Sequence, residues 1–482
     1  MQFTSFTFLV FFSAVFLIHW FLPKEKRWIV SLFASAVFYG MLGAGALTLL
    51  ATGIALCYFC GLQLEKTRSK GFFAFAIIIS LLPLLFFKYY NLVFVDVFTA
   101  LLPTVTFSFP NFSLLTPVGL SFYSFKIISY LADVYKGDTA ARKHLGHLAL
   151  YVSFFPEISS GPIQRANSLL VQIENPAGEF SYKQAIGGAQ LFLWGLFKKM
   201  VIADNLSYYV FMGFSDPNKV IGLSVIIAAF LFSVQLYCDF SAYSDMAIGC
   251  MNLLGYHVPD NFKSPYLATS VKDFWSRWHI SLSSFLRDYV YIPLGGNRKG
   301  KLRRYVNLFI TFLVSGLWHG TGPQFLLWGA LHGACQIIGD ITQPLRDALW
   351  RSVHIPKNSQ FARAVQTLCT FILVTAGWVV FQAGSLSRAG LLFTRMADCF
   401  PLSVQAIKNA LVMLNFTQAS LFYLAACILV LFVVDYLTKE TGYTAWLQKQ
   451  KPYFQAMFCY LLVFFLLFYG IAGAVTFIYF TF

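Results

Sequence analysis

The chain has 482 residues, of which 58% are hydrophobic and only 11% are charged. Soluble domains are roughly 45–50% hydrophobic and about 25% charged, so this composition excludes an ordinary soluble protein and indicates a helical protein that crosses a membrane several times. The net charge of +15 comes from Lys and Arg in short loops between apolar runs, which is typical of cytoplasmic loops and gives no reason to expect nucleic-acid binding.

Apolar runs predict the helices in chain order. We predict an all-α, polytopic membrane protein that forms a single membrane domain over residues 1–482. A Pro-, Gly- and Ser-rich stretch at 151–183 predicts re-entrant or broken helices, and the basic amphipathic stretch 343–364 predicts a connection that lies on the inner membrane surface. The positions of Lys and Arg place both termini outside. The predicted spans are 4–22, 28–42, 46–64, 71–87, 117–135, 186–203, 220–237, 305–317, 365–381, 420–434 and 454–475.

Two polar stretches interrupt this apolar pattern. Residues 238–256 carry Asp239 and Asp245, and they are too polar to face lipid, so we expect them to face the protein interior. Residues 274–333 contain three of the eight histidines, namely His279, His319 and His332, together with tryptophan, glycine and charge. We interpret this second stretch as the reaction centre.

The expected depth of His319 supports that interpretation. A run of basic residues at 298–304 is the strongest cytoplasmic marker in the chain, and the apolar segment 305–317 follows it. A helix there would place His319 roughly 20 Å from the basic loop, within a hydrocarbon core of about 30 Å. An ionisable side chain at that depth indicates function, although a histidine that packs between helices and bonds a carbonyl is the alternative.

The neighbouring polar residues have simpler explanations beside the functional ones. We expect Arg287, Asp288, Asn297 and Arg298 to form a network that fixes the loop below the site. The basic residues of this loop have two explanations that stay open. One is the attraction of a polyanionic donor, and the other is the orientation of the protein in the membrane alone. For His332, the glycines around it predict helix packing. The three histidines are spaced by 40 and 13 residues, which lacks a tight ligand pair, so we expect no metal.

Several motifs give the chain a resemblance to the membrane-bound O-acyltransferase family. It is most similar to the bacterial branch typified by the alginate O-acetylation membrane protein and related to the teichoic acid D-alanyl transfer protein. The motifs occur in the family's order over about 115–335. They are PVGLSFYSF from Pro117, FFPEISSGPI from Phe154, YCDFSAYSDMAIG from Tyr237, NFKSPY from Asn261, WHIS from Trp278, LRDYVYIPLGGNR from Leu286, GLWHG from Gly316 and WGALHG from Trp328.

The resemblance implies a fold and roles for particular residues. It implies a ring of roughly 11 or more transmembrane helices, with re-entrant helices, around a central tunnel. His319 matches the family's catalytic histidine, which would take the proton of the acceptor hydroxyl. His279 would hold the donor thioester or assist proton transfer, with a structural hydrogen bond as the alternative. We expect substrate-binding roles for Trp278, Ser281, Arg287, Asp288, Asn297, Trp318, Asp239 and Asp245.

The resemblance also implies a reaction. The chain would take an acyl group, expected to be acetyl, from a cytosolic thioester such as acetyl-CoA, with no bound cofactor. The acceptor would be an extracytoplasmic polysaccharide such as alginate, another exopolysaccharide or peptidoglycan. The expected partner is an extracytoplasmic SGNH-type acetyltransferase, and the expected location is the bacterial inner membrane. The alternatives are D-alanyl transfer to a cell-wall polymer, a polysaccharide or lipid transporter, and a non-catalytic scaffold.

The last residues, 476–482, form an aromatic tail that we expect outside the membrane. An interfacial aromatic belt would explain Phe477, Tyr479, Phe480 and Phe482. The tail also resembles the aromatic C-terminal motif of bacterial envelope-acylation systems. That resemblance implies that the Tyr479 hydroxyl relays the acyl group to the partner.

Overall fold

The computed structural model describes residues 1–93, 117–220, 222–398 and 403–471. Within these ranges all regular structure is helical and no strand occurs, which confirms the all-α prediction. The α-helices of the first half are Phe6–Phe21, Arg27–Gly40, Ala44–Thr67, Lys70–Tyr90, Leu120–Lys136, Leu145–Ser153, Ala166–Glu174, Tyr182–Leu196, Asp204–Phe214 and Gly222–Leu253. Those of the second half are Val271–Arg277, Ile280–Leu286, Gly300–His319, Pro323–Ile341, Gln343–Ser352, Gln360–Gln382, Leu386–Ala397, Val404–Met413, Gln418–Thr438, Tyr443–Gln448 and Pro452–Tyr469.

Seven of the described helices are long and apolar enough to cross a membrane. They bear out the prediction of a polytopic membrane protein, whereas the expected count of roughly eleven or more spans stays a prediction. The seven stretches are Ala44–Thr67, Lys70–Val93, Tyr182–Phe214, Gly222–Leu253, Gln360–Gln382, Gln418–Thr438 and Pro452–Tyr469.

Two predicted boundaries were wrong. The span predicted at 220–237 does not end at residue 237, because the polar segment after it continues the same helix, Gly222–Leu253, in which Asp239 and Asp245 pair with buried lysines. The connection predicted at 343–364 is shorter, because a helix covers Gln343–Ser352 and the next helix already starts at Gln360. The Ser359 side chain accepts a hydrogen bond from the Ala362 amide at 3.2 Å and so caps that start.

The chain packs as two compact units. The first comprises Met1–Ala189 and Ala247–Pro259. Within it, nine-residue helices flank the irregular stretch 154–165, as expected for the Pro- and Gly-rich region. A buried ion pair holds this stretch, since Lys126 Nζ donates to Glu157 Oε2 at 2.7 Å and to the Tyr151 carbonyl at 3.1 Å. Several hydrogen bonds are needed to offset the cost of burying both charges.

The second unit comprises Gln190–Met246 and Asp260–Phe482. It contains a π-helical stretch, Phe197–Ala203, which carries two consecutive buried lysines. Lys198 Nζ lies 2.7 Å from Asp245 Oδ2, and Lys199 Nζ lies 2.6 Å from Asp239 Oδ1. A π turn shifts the register of a helix and is often found where side chains must converge, and here it lets neighbouring lysines reach two different carboxylates.

The core of the second unit is built on a pair of helices that we call the histidine hairpin, Gly300–His319 and Pro323–Ile341. Glycines let the two backbones touch. A Cβ atom at Gly316 would lie 2.3 Å from the Phe325 carbonyl oxygen, and one at Gly329 would lie 2.3 Å from the Phe312 carbonyl oxygen. Small residues at a helix crossing are a common way to bring apolar helices this close.

This contact generates a stability prediction. Gly329→Ala places a methyl group against the Phe312 carbonyl and should destabilise the protein by roughly 1–3 kcal/mol through forced separation of the helices. Gly339→Ala is the matched control on the same helix, because a Cβ atom there meets nothing within 4 Å, and a better helix former should be neutral or slightly stabilising. Thermal unfolding in detergent measures both variants. Equal Tm values would contradict the close backbone contact.

Candidate active site

His319 is the last residue of the first hairpin helix and is 5% exposed. Gly320 follows it in an extended conformation and ends the helix there. Aromatic rings surround the imidazole, with ring centroids at 4.8 Å for Trp318, 4.8 Å for Trp328 and 5.5 Å for Phe381. Such a shell excludes water from the imidazole and strengthens electrostatic interactions within it.

His279 lies at the N-terminus of helix Ile280–Leu286 with φ 44° and ψ 55°, in the left-handed region. Few non-glycine residues adopt this conformation, and those that do are concentrated at functional sites. The side-chain oxygen of Asn261 holds the turn, because it accepts from the Ser281 amide at 3.0 Å and from Ser281 Oγ at 2.9 Å. The turn therefore fixes the direction of the His279 ring.

The same oxygen sets the protonation of His279. Asn261 Oδ1 lies 3.3 Å from His279 Nδ1, and its identity as oxygen follows from the bond it accepts from the Ser281 backbone amide. An oxygen that can only accept requires a proton on Nδ1. The neutral ring then has Nε2 as its acceptor nitrogen, which is the form needed to receive a proton.

Two tryptophans join the three histidines into one aromatic cluster. The Trp318 ring lies 6.2 Å from His279 and 4.8 Å from His319. The Trp328 ring lies 4.8 Å from His319 and 4.9 Å from His332. Residues separated by 40 and 13 positions in sequence thus lie within a few ring diameters of one another.

His332 acts on the site through a tryptophan. Trp275 Nε1 donates to His332 Nδ1 at 3.3 Å. Gly377 leaves room for the other edge of the imidazole, since a Cβ atom there would lie 2.8 Å from His332 Nε2. The packing role predicted for His332 therefore agrees with its contacts, and the side chain it positions is Trp275.

A cavity of about 340 Å³ lies within the second unit beside the hairpin. Its rim is polar and its inner wall is buried and mostly apolar. The rim and the half-buried residues behind it are Lys272, Ser283, Arg287, Tyr291, Asn297, Arg304, Tyr305, Leu308, Gln336 and Asp340, and the inner wall is Trp275, Leu282, Leu286, Thr311, Phe312 and Ser315.

The cavity follows one face of helix Gly300–His319 towards His319. It touches this helix at every turn from Arg304 to Ser315, a rise of about 16 Å at 1.5 Å per residue. Ser315 lies one turn before His319. The Trp275 ring closes this end, with centroids 5.3 Å from Phe312 and 5.6 Å from Trp328.

The rim is held by short polar contacts. Arg287 Nε lies 2.8 Å from Asp288 Oδ1, and this hydrogen bond raises the pKa of the Arg287 guanidinium above its usual value. Tyr305 donates to Asp340 Oδ2 at 2.6 Å, and Arg304 pairs with the same carboxylate. Tyr291 donates to Asn297. Arg287 and Asn297 both line the cavity, and they belong to two separate pairs, Arg287 with Asp288 and Asn297 with Tyr291.

The other predicted site residues lie elsewhere. Trp278 is buried in the core against Phe274 and Trp378, at 5.4 and 5.1 Å, and does not line the cavity. Asp239 and Asp245 pair with the buried lysines of the π-helical stretch and are also absent from the lining. Tyr479 lies outside the described residues. Within the described ranges, no group of three or more His, Cys, Asp or Glu could hold a metal.

Sequence reasoning assigned no site role to three residues that the structure places in this region. Asn261 opens the NFKSPY motif, and a buried Asn placed directly before a turn was the available signal. Trp275 and Ser315 carry no signal of their own, because only the three-dimensional packing shows that they form the inner end of one cavity.

Comparison with known proteins adds an independent finding. The sequence profile of the membrane-bound O-acyltransferase family matches residues 141–372. The chain is 37% identical over 405 residues to the probable alginate O-acetylase AlgI of Pseudomonas putida, covering 82% of this chain and 80% of that protein. It is 33% identical over 395 residues to the peptidoglycan O-acetyltransferase of Helicobacter pylori, covering 76% and 72%. It is 27% identical over 352 residues to the teichoic acid D-alanyltransferase of Bacillus subtilis, covering 68% and 85%.

Proposed function

Because the chain belongs to the membrane-bound O-acyltransferase family and is a multi-pass membrane O-acyltransferase, we propose that it moves an acetyl group from a cytosolic thioester towards an extracytoplasmic polysaccharide. The O-acetylase and the O-acetyltransferase among the relatives match this chain at 37% and 33% identity, and the D-alanyltransferase matches it at 27%. That difference favours acetyl over D-alanyl. The family membership also sets aside the transporter and scaffold alternatives.

The cavity is the observation that carries this proposal. It leads from a charged rim along the hairpin to Ser315, one turn short of His319. A thioester with an anionic carrier needs such a shape, with cationic side chains for the carrier at the mouth and an apolar path for the arm. Lys272, Arg287 and Arg304 provide the cationic side chains at the rim. Acetyl-CoA is the proposed donor, and no bound cofactor is proposed.

The orientation in the membrane follows from the basic residues beside this rim. Arg298, Lys299, Lys301, Arg303 and Arg304 lie at or just before the start of helix Gly300–His319. Short basic loops stay on the inner side of a membrane. We therefore assign the cavity mouth to the cytosol and the protein to the bacterial inner membrane.

His319 is the proposed general base. Its imidazole takes the proton of the acceptor hydroxyl as that oxygen forms a bond to the thioester carbonyl carbon. The carbon–sulfur bond then breaks, and the leaving thiolate takes the proton from the imidazolium, so that the products are an ester and a free thiol. The aromatic shell around His319 keeps water from competing with the acceptor.

His279 is proposed to assist this proton transfer. Asn261 supports that role, because it fixes the tautomer with Nε2 as acceptor and fixes the ring direction. Trp318 lies between the two imidazoles. Ser281 serves the same turn through its bonds to Asn261, and it is proposed to position His279.

The steps on the extracytoplasmic side of the membrane are proposed from the sequence. A polysaccharide is too large and too polar to enter a bilayer, so a small carrier must collect the acetyl group. The Tyr479 hydroxyl is the proposed carrier, and an extracytoplasmic SGNH-type acetyltransferase is the proposed partner that passes the group to the polymer. The polysaccharide classes proposed are alginate, another exopolysaccharide and peptidoglycan.

The first functional prediction concerns His319. Loss of the general base in His319→Ala should lower acetyl transfer by roughly 10²- to 10⁴-fold while the protein stays folded. His257→Ala is the matched control, because His257 is an exposed histidine outside the cluster. Transfer of radiolabelled acetyl from acetyl-CoA by purified protein measures the rate, and size-exclusion chromatography checks folding. Undiminished transfer by a monodisperse His319→Ala protein would remove this residue from the mechanism.

The second concerns Tyr479. Tyr479→Phe keeps the ring and deletes only the nucleophilic oxygen, so polymer acetylation in cells should be lost while interfacial packing is kept. Phe480→Leu is the control for the aromatic character of the tail. Acetyl groups on the polymer are counted after mild alkaline release. Wild-type acetylation by the Tyr479→Phe strain would show that the tail carries no acyl group.

A further inference from the structure

Ser315 forms the inner end of the cavity and is 1% exposed. Its hydroxyl has no hydrogen-bond partner among the described residues. Thr311, one turn earlier on the same helix and in the same cavity wall, differs from it. Thr311 Oγ1 donates to the Asn307 carbonyl at 2.7 Å, which is the usual way for a helical hydroxyl to be satisfied.

A buried hydroxyl without a partner costs stability, and an apolar side chain of similar size would avoid that cost. Folding therefore gives no reason for a hydroxyl at this position. A bound molecule that accepts a hydrogen bond at the end of the cavity would give one. Ser315 also lies four residues before His319, and side chains so spaced lie on one helix face with Cβ atoms about 6 Å apart.

We propose that Ser315 is a catalytic residue that donates a hydrogen bond from its Oγ to the carbonyl oxygen of the donor thioester. This inference rests on the proposed function, since it needs a thioester in the cavity. The thioester carbonyl then lies between two side chains of one helix face. Ser315 donates to the carbonyl oxygen, and His319 accepts the proton of the acceptor hydroxyl that attacks the carbonyl carbon.

The hydroxyl acts on charge that develops during the reaction. As the acceptor oxygen bonds to the carbonyl carbon, the carbonyl π electrons move onto the oxygen, and the Ser315 hydrogen bond stabilises that negative charge. Ser315 keeps its proton throughout. When the tetrahedral intermediate collapses, the electrons return to form the ester carbonyl, the carbon–sulfur bond breaks, and the thiolate receives the proton held by His319.

The expected effect lies in the rate and not in stability. Loss of one such donor in other acyl-transfer sites lowers kcat by on the order of 10²- to 10³-fold. Ser315→Ala should therefore lower kcat for acetyl transfer by about that factor with a small change in KM for acetyl-CoA. Its Tm should equal or exceed that of the wild type, because the substitution removes an unsatisfied buried group.

Thr370→Val is the matched control, since it deletes a buried helical hydroxyl that already donates to the Gln366 carbonyl at 2.8 Å and that lies outside the cavity lining. The experiment measures kcat, KM and Tm for the wild type and both variants in detergent, with radiolabelled acetyl-CoA as donor. The inference predicts a loss of at least 100-fold in kcat for Ser315→Ala alone, with an unchanged or higher Tm.

Three results would overturn the inference. A kcat for Ser315→Ala close to that of the wild type would show that the hydroxyl does not touch the reacting carbonyl. A fall in Tm that accompanies the loss of activity would show that Ser315 is structural. If the wild type transfers no acetyl from acetyl-CoA, the proposed function itself fails, and the role of Ser315 fails with it.

Discussion

The contact on which the active region depends is the one between the backbones of the two hairpin helices. Gly316 and Gly329 let each helix approach a carbonyl group of the other at a distance where no Cβ atom fits. The close crossing fixes the separation of His319 on one helix from Trp328 and His332 on the other. The adjoining face of helix Gly300–His319 lines the cavity, together with Gln336 and Asp340 of the second hairpin helix. Widening the crossing would therefore move His319 and its cavity wall away from Trp328 and His332.

Buried polar groups in the second unit follow two different rules. Lys198, Lys199 and their acidic partners are paired at 2.6–2.7 Å, as buried charges must be to offset the loss of hydration. Asn261 likewise has its side-chain oxygen in contact with the Ser281 amide, the Ser281 hydroxyl and His279 Nδ1. Ser315 is left without such a partner among the described residues. Ser315 differs from these paired groups because its hydroxyl lies in the wall of the cavity, within reach of a bound molecule.

The sequence predicted the class of fold, and it singled out the stretch that holds the candidate site, because hydrophobic runs and clusters of unusual residues are local properties. It placed His319 at the end of a helix that starts in a basic loop, and the structure has that helix at Gly300–His319. It could not predict which side chains meet across helices. Asp239 and Asp245 were expected to bind substrate, yet they pair with lysines more than 30 positions away. Trp278 was expected at the site and packs in the core, while Trp275, three residues earlier, closes the cavity.

The central claim is that the acyl donor enters through the cavity whose mouth lies beside the basic loop, and that the group then crosses the membrane within this protein. The most direct test uses sealed vesicles that carry the protein in their membrane in one defined orientation. Radiolabelled acetyl-CoA is added on one side of the membrane only. The account predicts that label reaches the protein or an acceptor only when the donor is on the side of residues 298–304. Equal labelling from the opposite side would contradict it.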